Sequence, residues 1–175
     1  MIHVLIVDDL NIVRQGIKTF LADKTDIKVI GSVKNGLEAV EFFQKAKTKP
    51  DIALIDLLMP VMGGIKATEI ISQQFPEAKI IIVSDLKDVN VASCAVKMGA
   101  KGYLLKGKLN ANNLINAVYS VYNGYIQLDA EIVNSPIKDM ANHSAENKNN
   151  TSNNDLGYNA FSENGNSHIV EDVWL

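Results

Sequence analysis

The sequence has a single cysteine, few aromatic residues and no long apolar run, and these shortages exclude several classes of protein. Because Cys94 has no cysteine partner in the chain, an intrachain disulfide framework is excluded, which suits a reducing compartment. No apolar run approaches the ~18 residues of a membrane span, and the start, MIHVLIVDD, reaches two acids too soon for a signal peptide. We therefore expect a cytoplasmic protein without a membrane-spanning segment.

A strong excess of one charge is also lacking. The 175 residues carry 17 basic and 20 acidic side chains, for a formal net charge of −3. This balance gives no electrostatic case for the whole chain binding nucleic acid or an anionic membrane. With 47% hydrophobic and 21% charged residues, the composition is typical of a globular protein of one domain plus additional segments.

Short apolar, β-branched runs alternate with helical patterns through the first 125 residues. The alternation predicts an α/β fold with a doubly wound, five-stranded parallel sheet and five helices on its two faces. Helical spacing places Ile12 and Leu37 on inward faces, and we expect Tyr122 in the core and Cys94 as a packed thiol. The predicted strands are 3–7, 27–33, 51–55, 79–83 and 101–105, and the predicted helices are 10–23, 36–47, 64–75, 88–99 and 110–124.

The composition changes beyond the fifth predicted helix. We expect a globular domain over residues 1–126, a linker over 127–142 and a disordered tail over 143–175, because the tail is rich in asparagine and serine and poor in large apolar residues. The last stretch, HIVEDVWL, spaces Ile169, Val170, Val173 and Trp174 as a short amphipathic docking helix would. A frayed terminus is the alternative.

Polar side chains stand where four of the predicted strands end. Asp8 and Asp9 follow the first strand, Asp56 the third, Ser84 the fourth and Lys106 the fifth. In an open parallel sheet, ligands bind beyond the carboxyl ends of the strands, at the point where the strand order reverses. With the flavodoxin-like order 2-1-3-4-5, strands one and three are neighbours, so the three carboxylates converge there. Ser84 and Lys106 then flank them.

Such a cluster predicts a particular chemistry. Three carboxylates in one partly buried crevice repel one another, so cations must hold them together. Lys106 supplies one positive charge, and Mg²⁺ supplies two and prefers carboxylate, carbonyl and water oxygens. A hydroxyl and an ammonium beside a metal are the groups that hold a phosphoryl group, and a carboxylate can be its covalent acceptor. We therefore predict that Asp56 is phosphorylated.

Four stretches resemble the receiver (CheY-like) domain of bacterial two-component response regulators. They are VLIVDD (4–9), DIALIDLLMPVMGGI (51–65), IIIVSD (80–85) and GAKGYLLK (99–106). The resemblance implies that Asp56 is the phosphoacceptor and that Mg²⁺ binds Asp9, Asp56 and the Leu58 carbonyl, with Asp8 acting largely through water. It also implies that Ser84 swings to the phosphoryl oxygens, Tyr103 turns inward behind it and Lys106 pairs with the phosphoryl group.

The same resemblance implies partners. A sensor histidine kinase would donate the phosphoryl group, and helix four, strand five and helix five would present a surface to a downstream protein or to a second copy. Such a domain is a signalling element that catalyses its own phosphotransfer and dephosphorylation, not an enzyme acting on other substrates.

Three stretches, DLLMPVMGGIKAT, GAKGYLLKG and VYNGYIQLD, further resemble regulators with a LuxR-type helix-turn-helix output domain. That domain should follow about residue 140, where no DNA-reading pattern occurs. We therefore expect no direct nucleic-acid binding, although a fragment of a DNA-binding transcriptional regulator stays open.

One departure from the family pattern supports an alternative. Asp85 follows Ser84 at a position that is usually small, and a fourth carboxylate near the crevice would repel an incoming phosphodonor. This favours a pseudo-receiver, a binding module with suppressed phosphorylation, unless Asp85 faces solvent or caps the next helix. A hydrolase of the haloacid dehalogenase type would need an aspartate where Leu58 stands. Leu58 and Leu86 are apolar at positions that influence how water reaches the phosphorylated aspartate.

Overall fold

Six parallel strands form one sheet, flanked by helices on both faces. The structure is a computed structural model that describes residues 1–134, so the predicted tail and its HIVEDVWL end lie outside the described residues. The sheet order is β2-β1-β3-β4-β5-β6, which confirms the predicted doubly wound fold and its order 2-1-3-4-5. The strands are β1 (Ile2–Val7), β2 (Ile27–Val33), β3 (Ile52–Ile55), β4 (Lys79–Ser84), β5 (Gly102–Leu105) and β6 (Gln127–Leu128). The helices are α1 (Asn11–Leu21), α2 (Gly36–Lys45), α3 (Gly64–Gln74), α4 (Val89–Lys97) and α5 (Ala111–Tyr122), with a 3₁₀ turn at Lys106–Lys108.

The core consists of two layers separated by the sheet. Successive residues of a strand point to opposite faces, so Leu5 joins the layer under α2, α3 and α4, whereas Ile6 joins the layer under α1 and α5. Every residue of β3 is at most 1% exposed, which explains its continuous apolar sequence. The central strands are therefore packed on both faces, which fixes the position of their carboxyl ends.

A sixth strand was not predicted. Gly124 adopts a positive φ of 92° after α5, which lets the chain turn back toward the sheet. The Gln127 amide then donates to the Lys101 carbonyl at 3.0 Å, and the Asp129 amide donates to the Tyr103 carbonyl at 2.9 Å. Residues 130–134 are helical, and Ile132 is only 2% exposed. Part of the predicted linker is thus packed against the sheet.

Three residues predicted to face inward are exposed instead. Ile12 is 78%, Leu37 42% and Tyr122 39% exposed, so these predictions were wrong. Each lies at or next to the end of its helix. Tyr122 receives the Lys79 ammonium over its ring, 5.6 Å from the centroid. Cys94 is partly buried against the core under α4, as predicted for a packed thiol.

No helix within residues 1–134 combines the length and apolar character needed to cross a bilayer.

Candidate functional site

Three carboxylates converge at the carboxyl ends of two adjacent strands. Asp8 follows β1 and Asp56 follows β3, and these strands are paired up to Val7 and Ile55. One carboxylate oxygen from each of Asp8, Asp9 and Asp56 lies within 4.8 Å of the others. Asp8 and Asp56 are buried, whereas Asp9 is exposed. The structure therefore brings together the acidic residues that the strand ends predicted.

Lys106 bridges the two buried carboxylates. Its Nζ atom lies 2.8 Å from Asp8 Oδ2 and 2.9 Å from Asp56 Oδ2, and its side chain is 13% exposed. Burial lowers the pKa of Lys106, but the hydrogen bonds to Asp8 and Asp56 outweigh it and raise the pKa above its ordinary value. One ammonium within a group of three carboxylates leaves the group with surplus negative charge.

Lys106 does not fully compensate the cost of burying the negative charge of Asp56. Burial raises the pKa of Asp56 above its ordinary value, and the repulsion from Asp8 adds to this effect. Hydrogen bonding and attraction from Lys106 act in the opposite direction without cancelling it. The Leu57 amide also donates to Asp56 Oδ1 at 2.7 Å, which fixes the orientation of the carboxylate.

Arg14 binds the backbone of the acidic turn, Asp8 and Asp9, a contact that the sequence reasoning missed. Its Nη1 atom donates to the Asp8 carbonyl at 2.7 Å and to the Asp9 carbonyl at 3.0 Å. The Leu10 amide donates to Asp8 Oδ1 at 2.9 Å. An arginine in the first turns of the helix that follows an acidic pair is a signal that could have suggested this contact. Arg14 therefore fixes the backbone that aims both carboxylates.

The loop after Asp56 is tightly constrained. A Cβ atom at Gly64 would lie 2.1 Å from the Asp56 carbonyl oxygen, so only glycine fits there. Val61 has a φ of 71°, which is rare for a β-branched residue, and the Met62 amide donates across it to the Pro60 carbonyl at 2.8 Å. Leu58 lies in this loop with a side chain that is 59% exposed. The chain thus makes a strained turn beside the site.

Ser84 and Tyr103 meet through the backbone of one residue. Ser84 Oγ accepts a hydrogen bond from the Leu86 amide at 3.2 Å, and the Tyr103 hydroxyl donates to the Leu86 carbonyl at 2.7 Å. Both side chains are at most 1% exposed, and burial raises the pKa of Tyr103. Any rotation of Ser84 toward Asp56 must break or stretch the contact with the Leu86 amide. The loop after β4 is therefore mechanically tied to both residues.

Asp85 lies at the surface, unlike the buried Asp8 and Asp56. Its side chain is exposed, and α4 is capped by Asp88, whose Oδ1 accepts from the Asn90 amide at 2.7 Å. The cap alternative for Asp85 is therefore wrong, and the solvent-facing alternative agrees with the structure.

Comparisons with known proteins fit this geometry. Residues 4–119 match the family described as the response regulator receiver domain. The transcriptional regulatory protein LnrK of Bacillus subtilis is 38% identical over 133 residues, covering 75% of this chain and 59% of LnrK. The oxygen regulatory protein NreC of Staphylococcus epidermidis is 36% identical over 143 residues, covering 81% of this chain and 64% of NreC.

Solved structures agree in fold. A two-component response regulator of the LuxR family from Aurantimonas superposes with a TM-score of 0.72 at 27% identity, covering 79% of this chain and 97% of that one. The response regulator domain of Thermotoga maritima CheB gives a TM-score of 0.64 at 31% identity, covering 70% of this chain and 97% of that one.

The chain matches only about three fifths of the length of these curated relatives, 59% of LnrK and 64% of NreC. The family match spans more than half of the chain and includes Asp8, Asp9, Asp56, Ser84 and Lys106. This chain therefore belongs to the response regulator receiver domain family.

Proposed function

We propose that this domain is a switch operated by phosphorylation, in which Asp56 accepts a phosphoryl group from a sensor histidine kinase with the help of Mg²⁺. One observation carries the proposal: Lys106 contacts Asp8 and Asp56 at 2.8 and 2.9 Å within a cluster of three carboxylates. Buried charges are costly unless they are well compensated, and this cluster keeps surplus negative charge. Such surplus is suited to a divalent cation.

The residues present fit Mg²⁺. Hard carboxylate oxygens gathered within 4.8 Å, with one carboxylate exposed to solvent, are donors of the kind that this ion prefers. Asp8, Asp9 and Asp56 would hold it, together with the main-chain carbonyl of Leu58. When bound, Mg²⁺ supplies positive charge beside the phosphoryl oxygens.

The remaining side chains have distinct tasks in the transfer. A carboxylate oxygen of Asp56 bonds to phosphorus as the bond from phosphorus to the donor's imidazole nitrogen breaks, and the electron pair of that bond returns to the ring. Lys106, already beside Asp56, pairs with the phosphoryl oxygens. Ser84 rotates away from the Leu86 amide, and its hydroxyl donates a hydrogen bond to a phosphoryl oxygen. Tyr103 follows the displaced loop.

One further function has a specific observation that favours it. Several relatives, LnrK among them, are named as transcriptional regulatory proteins, and the chain matches only part of their length. A role in transcriptional regulation is therefore a second proposal, in which this domain controls a DNA-binding partner or segment. A pseudo-receiver that binds without phosphorylation rests on Asp85, whose exposed side chain gives it little support.

Acetyl phosphate provides a direct test. The protein is incubated with Mg²⁺ and acetyl phosphate, and its intact mass is measured. We expect one phosphoryl increment that is absent from Asp56→Asn and retained in Asp51→Asn. Asp51 is a matched control because it stands immediately before β3, whereas Asp56 stands immediately after it. An increment that never forms, or that survives in Asp56→Asn, contradicts the proposal.

A further inference from the structure

The edge of the sheet beside α4 and α5 is covered by the chain's own residues. We define the strap as residues 127–134, which comprise β6 and the helical residues after it. β6 pairs with β5 so that Leu128 lies opposite Tyr103. Ile132 joins the core cluster that also contains Tyr103 and Ala95 of α4. The surface of α4, β5 and α5, which the family resemblance assigned to a downstream partner, is thus partly covered by the strap.

A single side chain clamps the strap to two loops of the site. Glu131 Oε2 lies 2.6 Å from Lys87 Nζ, and Glu131 Oε1 contacts Lys108 Nζ. The hydrogen bond from Lys108 has the larger effect on the pKa of Glu131 and the one from Lys87 the smaller, and together they lower it to about 2. Glu131 is therefore an anion at neutral pH, and it joins the loop after β4 to the loop after β5.

Both loops carry groups that must move when a phosphoryl group binds. Lys87 directly follows Leu86, whose amide and carbonyl contact Ser84 and Tyr103. Lys108 lies at the end of the 3₁₀ turn that begins with Lys106. The strap backbone adds a third connection, since the Asp129 amide donates to the Tyr103 carbonyl. Three of the strap's attachments thus lie at Tyr103 or in the loops that follow Ser84 and begin with Lys106, the three residues expected to respond.

We propose that phosphorylation of Asp56 loosens the strap by pulling Lys87 and Lys108 away from Glu131, and that this release transmits the signal to the chain beyond residue 134. The inference rests on the proposed function. Rotation of Ser84 toward the phosphoryl group drags the Leu86 backbone, and with it Lys87. Lys106 follows the phosphoryl oxygens and shifts the turn that carries Lys108. Because coupling between two equilibria is reciprocal, a looser strap also favours phosphoryl binding.

Hydrogen exchange of two strap amides tests this directly. The Gln127 amide donates to the Lys101 carbonyl just before β5, and the Asp129 amide donates to the Tyr103 carbonyl within β5. Their exchange is measured by NMR in the full chain with Mg²⁺, with and without beryllofluoride as a phosphoryl mimic. We expect beryllofluoride to speed their exchange about fivefold or more, the lower end of typical coupling between sites. The amide of Asp51, bonded to the His3 carbonyl at the other end of the sheet, serves as an internal reference that should not change.

Variants separate the clamp from general stability. Glu131→Gln should speed exchange of the same amides without beryllofluoride, and it should tighten beryllofluoride binding by a similar factor. The matched control is Glu41→Gln, which removes another exposed ion pair, that of Glu41 with Lys45 on α2. If Glu131→Gln fails to fold, Lys87→Gln combined with Lys108→Gln removes the clamp from the other side.

The outcomes distinguish two failures. If acetyl phosphate adds a phosphoryl group but beryllofluoride leaves the exchange of Gln127 and Asp129 unchanged or slows it, the strap proposal is overturned and the proposed function stands. If no phosphoryl increment forms and beryllofluoride does not bind, the proposed function itself fails and the strap proposal fails with it. Faster exchange in Glu41→Gln as well as in Glu131→Gln also overturns the clamp, because the effect is then not specific to Glu131.

Discussion

Replacing Asp56 with asparagine should make the metal-free protein more stable. At an effective dielectric constant of about 20, Lys106 at 2.9 Å attracts the Asp56 charge by about 6 kcal/mol. Asp8 and Asp9, with oxygens within 4.8 Å, each repel it by about 3.5 kcal/mol, somewhat less for the exposed Asp9 because solvent and salt screen it. Attraction and repulsion thus nearly cancel, which leaves the cost of burying the charge uncompensated.

An asparagine side chain at this position would keep the shape and one acceptor, for the Leu57 amide, while removing that charge. Lys106 would lose its acceptor on residue 56 and keep its contact with Asp8. We therefore expect Asp56→Asn to gain about 1–2 kcal/mol of unfolding free energy at pH 7 in EDTA, which corresponds to a rise in Tm of roughly 3–8 °C for a domain of this size. Urea denaturation measures the gain directly through the shift in midpoint at constant slope. Glu77→Gln, which removes an exposed carboxylate, is the control and should stay within about 0.5 kcal/mol.

Two titrations sharpen this prediction. Added Mg²⁺ should stabilise the parent more than Asp56→Asn, because the variant lacks one of the carboxylates that would hold the ion. Since the pKa of Asp56 is raised in the folded state, protonation favours folding, and this contribution is lost as pH rises through the folded pKa. The advantage of Asp56→Asn should therefore shrink as pH falls from 7 toward and below that pKa. A variant that is less stable than the parent at pH 7 in EDTA refutes the charge argument.

Three further predictions concern neighbouring residues. Asp9→Ala should abolish Mg²⁺ binding, seen as the loss of Mg²⁺-dependent NMR shifts at the Leu57 and Leu10 amides; an unchanged titration would remove Asp9 from the metal site. Because Asp85 is exposed, Asp85→Ala should speed phosphorylation by acetyl phosphate by only about 1.4- to fivefold at low salt, and the gain should disappear at high salt; a gain that persists at high salt would mean that Asp85 acts within the crevice. Val61→Gly should raise the unfolding free energy by about 1 kcal/mol, since glycine adopts a φ of 71° without strain; a lower urea midpoint would contradict the assignment of strain to Val61.

The strand ends of this fold were predictable because they depend on short-range patterns. Continuous β-branched runs predict buried parallel strands, and a flavodoxin-like strand order then places Asp8, Asp56 and Lys106 at one edge. The structure agrees with that juxtaposition and adds distances of 2.8 and 2.9 Å. Predictions failed at helix ends, as with Ile12 and Tyr122, because helical periodicity does not report how far the sheet extends beneath a helix.

The strap was missed for a different reason. A strand of only two residues is too short to carry a periodic signal, and β6 forms because β5 offers an unpaired edge and Gly124 permits the turn toward it. The ion pairs of Glu131 join residues 23 and 44 positions apart in the chain, which no local pattern reveals. Contacts that depend on tertiary placement thus escaped sequence reasoning even where each residue type was visible.

The surplus negative charge of the site explains why a small chemical change could reach the strap. Lys106 is shared between Asp8 and Asp56, so neither carboxylate is fully compensated in the resting protein. On the proposed function, a phosphoryl group on Asp56 would compete with Asp8 for Lys106 while recruiting the Ser84 hydroxyl. Both changes act on the loops that carry Lys108 and Lys87, and the exposed ion pairs of Glu131 are weak enough to yield to them. If the buried Ile132 alone held the strap, the strap would lack this connection. Ile132 together with Glu131 gives the segment both a stable docked state and a release that depends on charge.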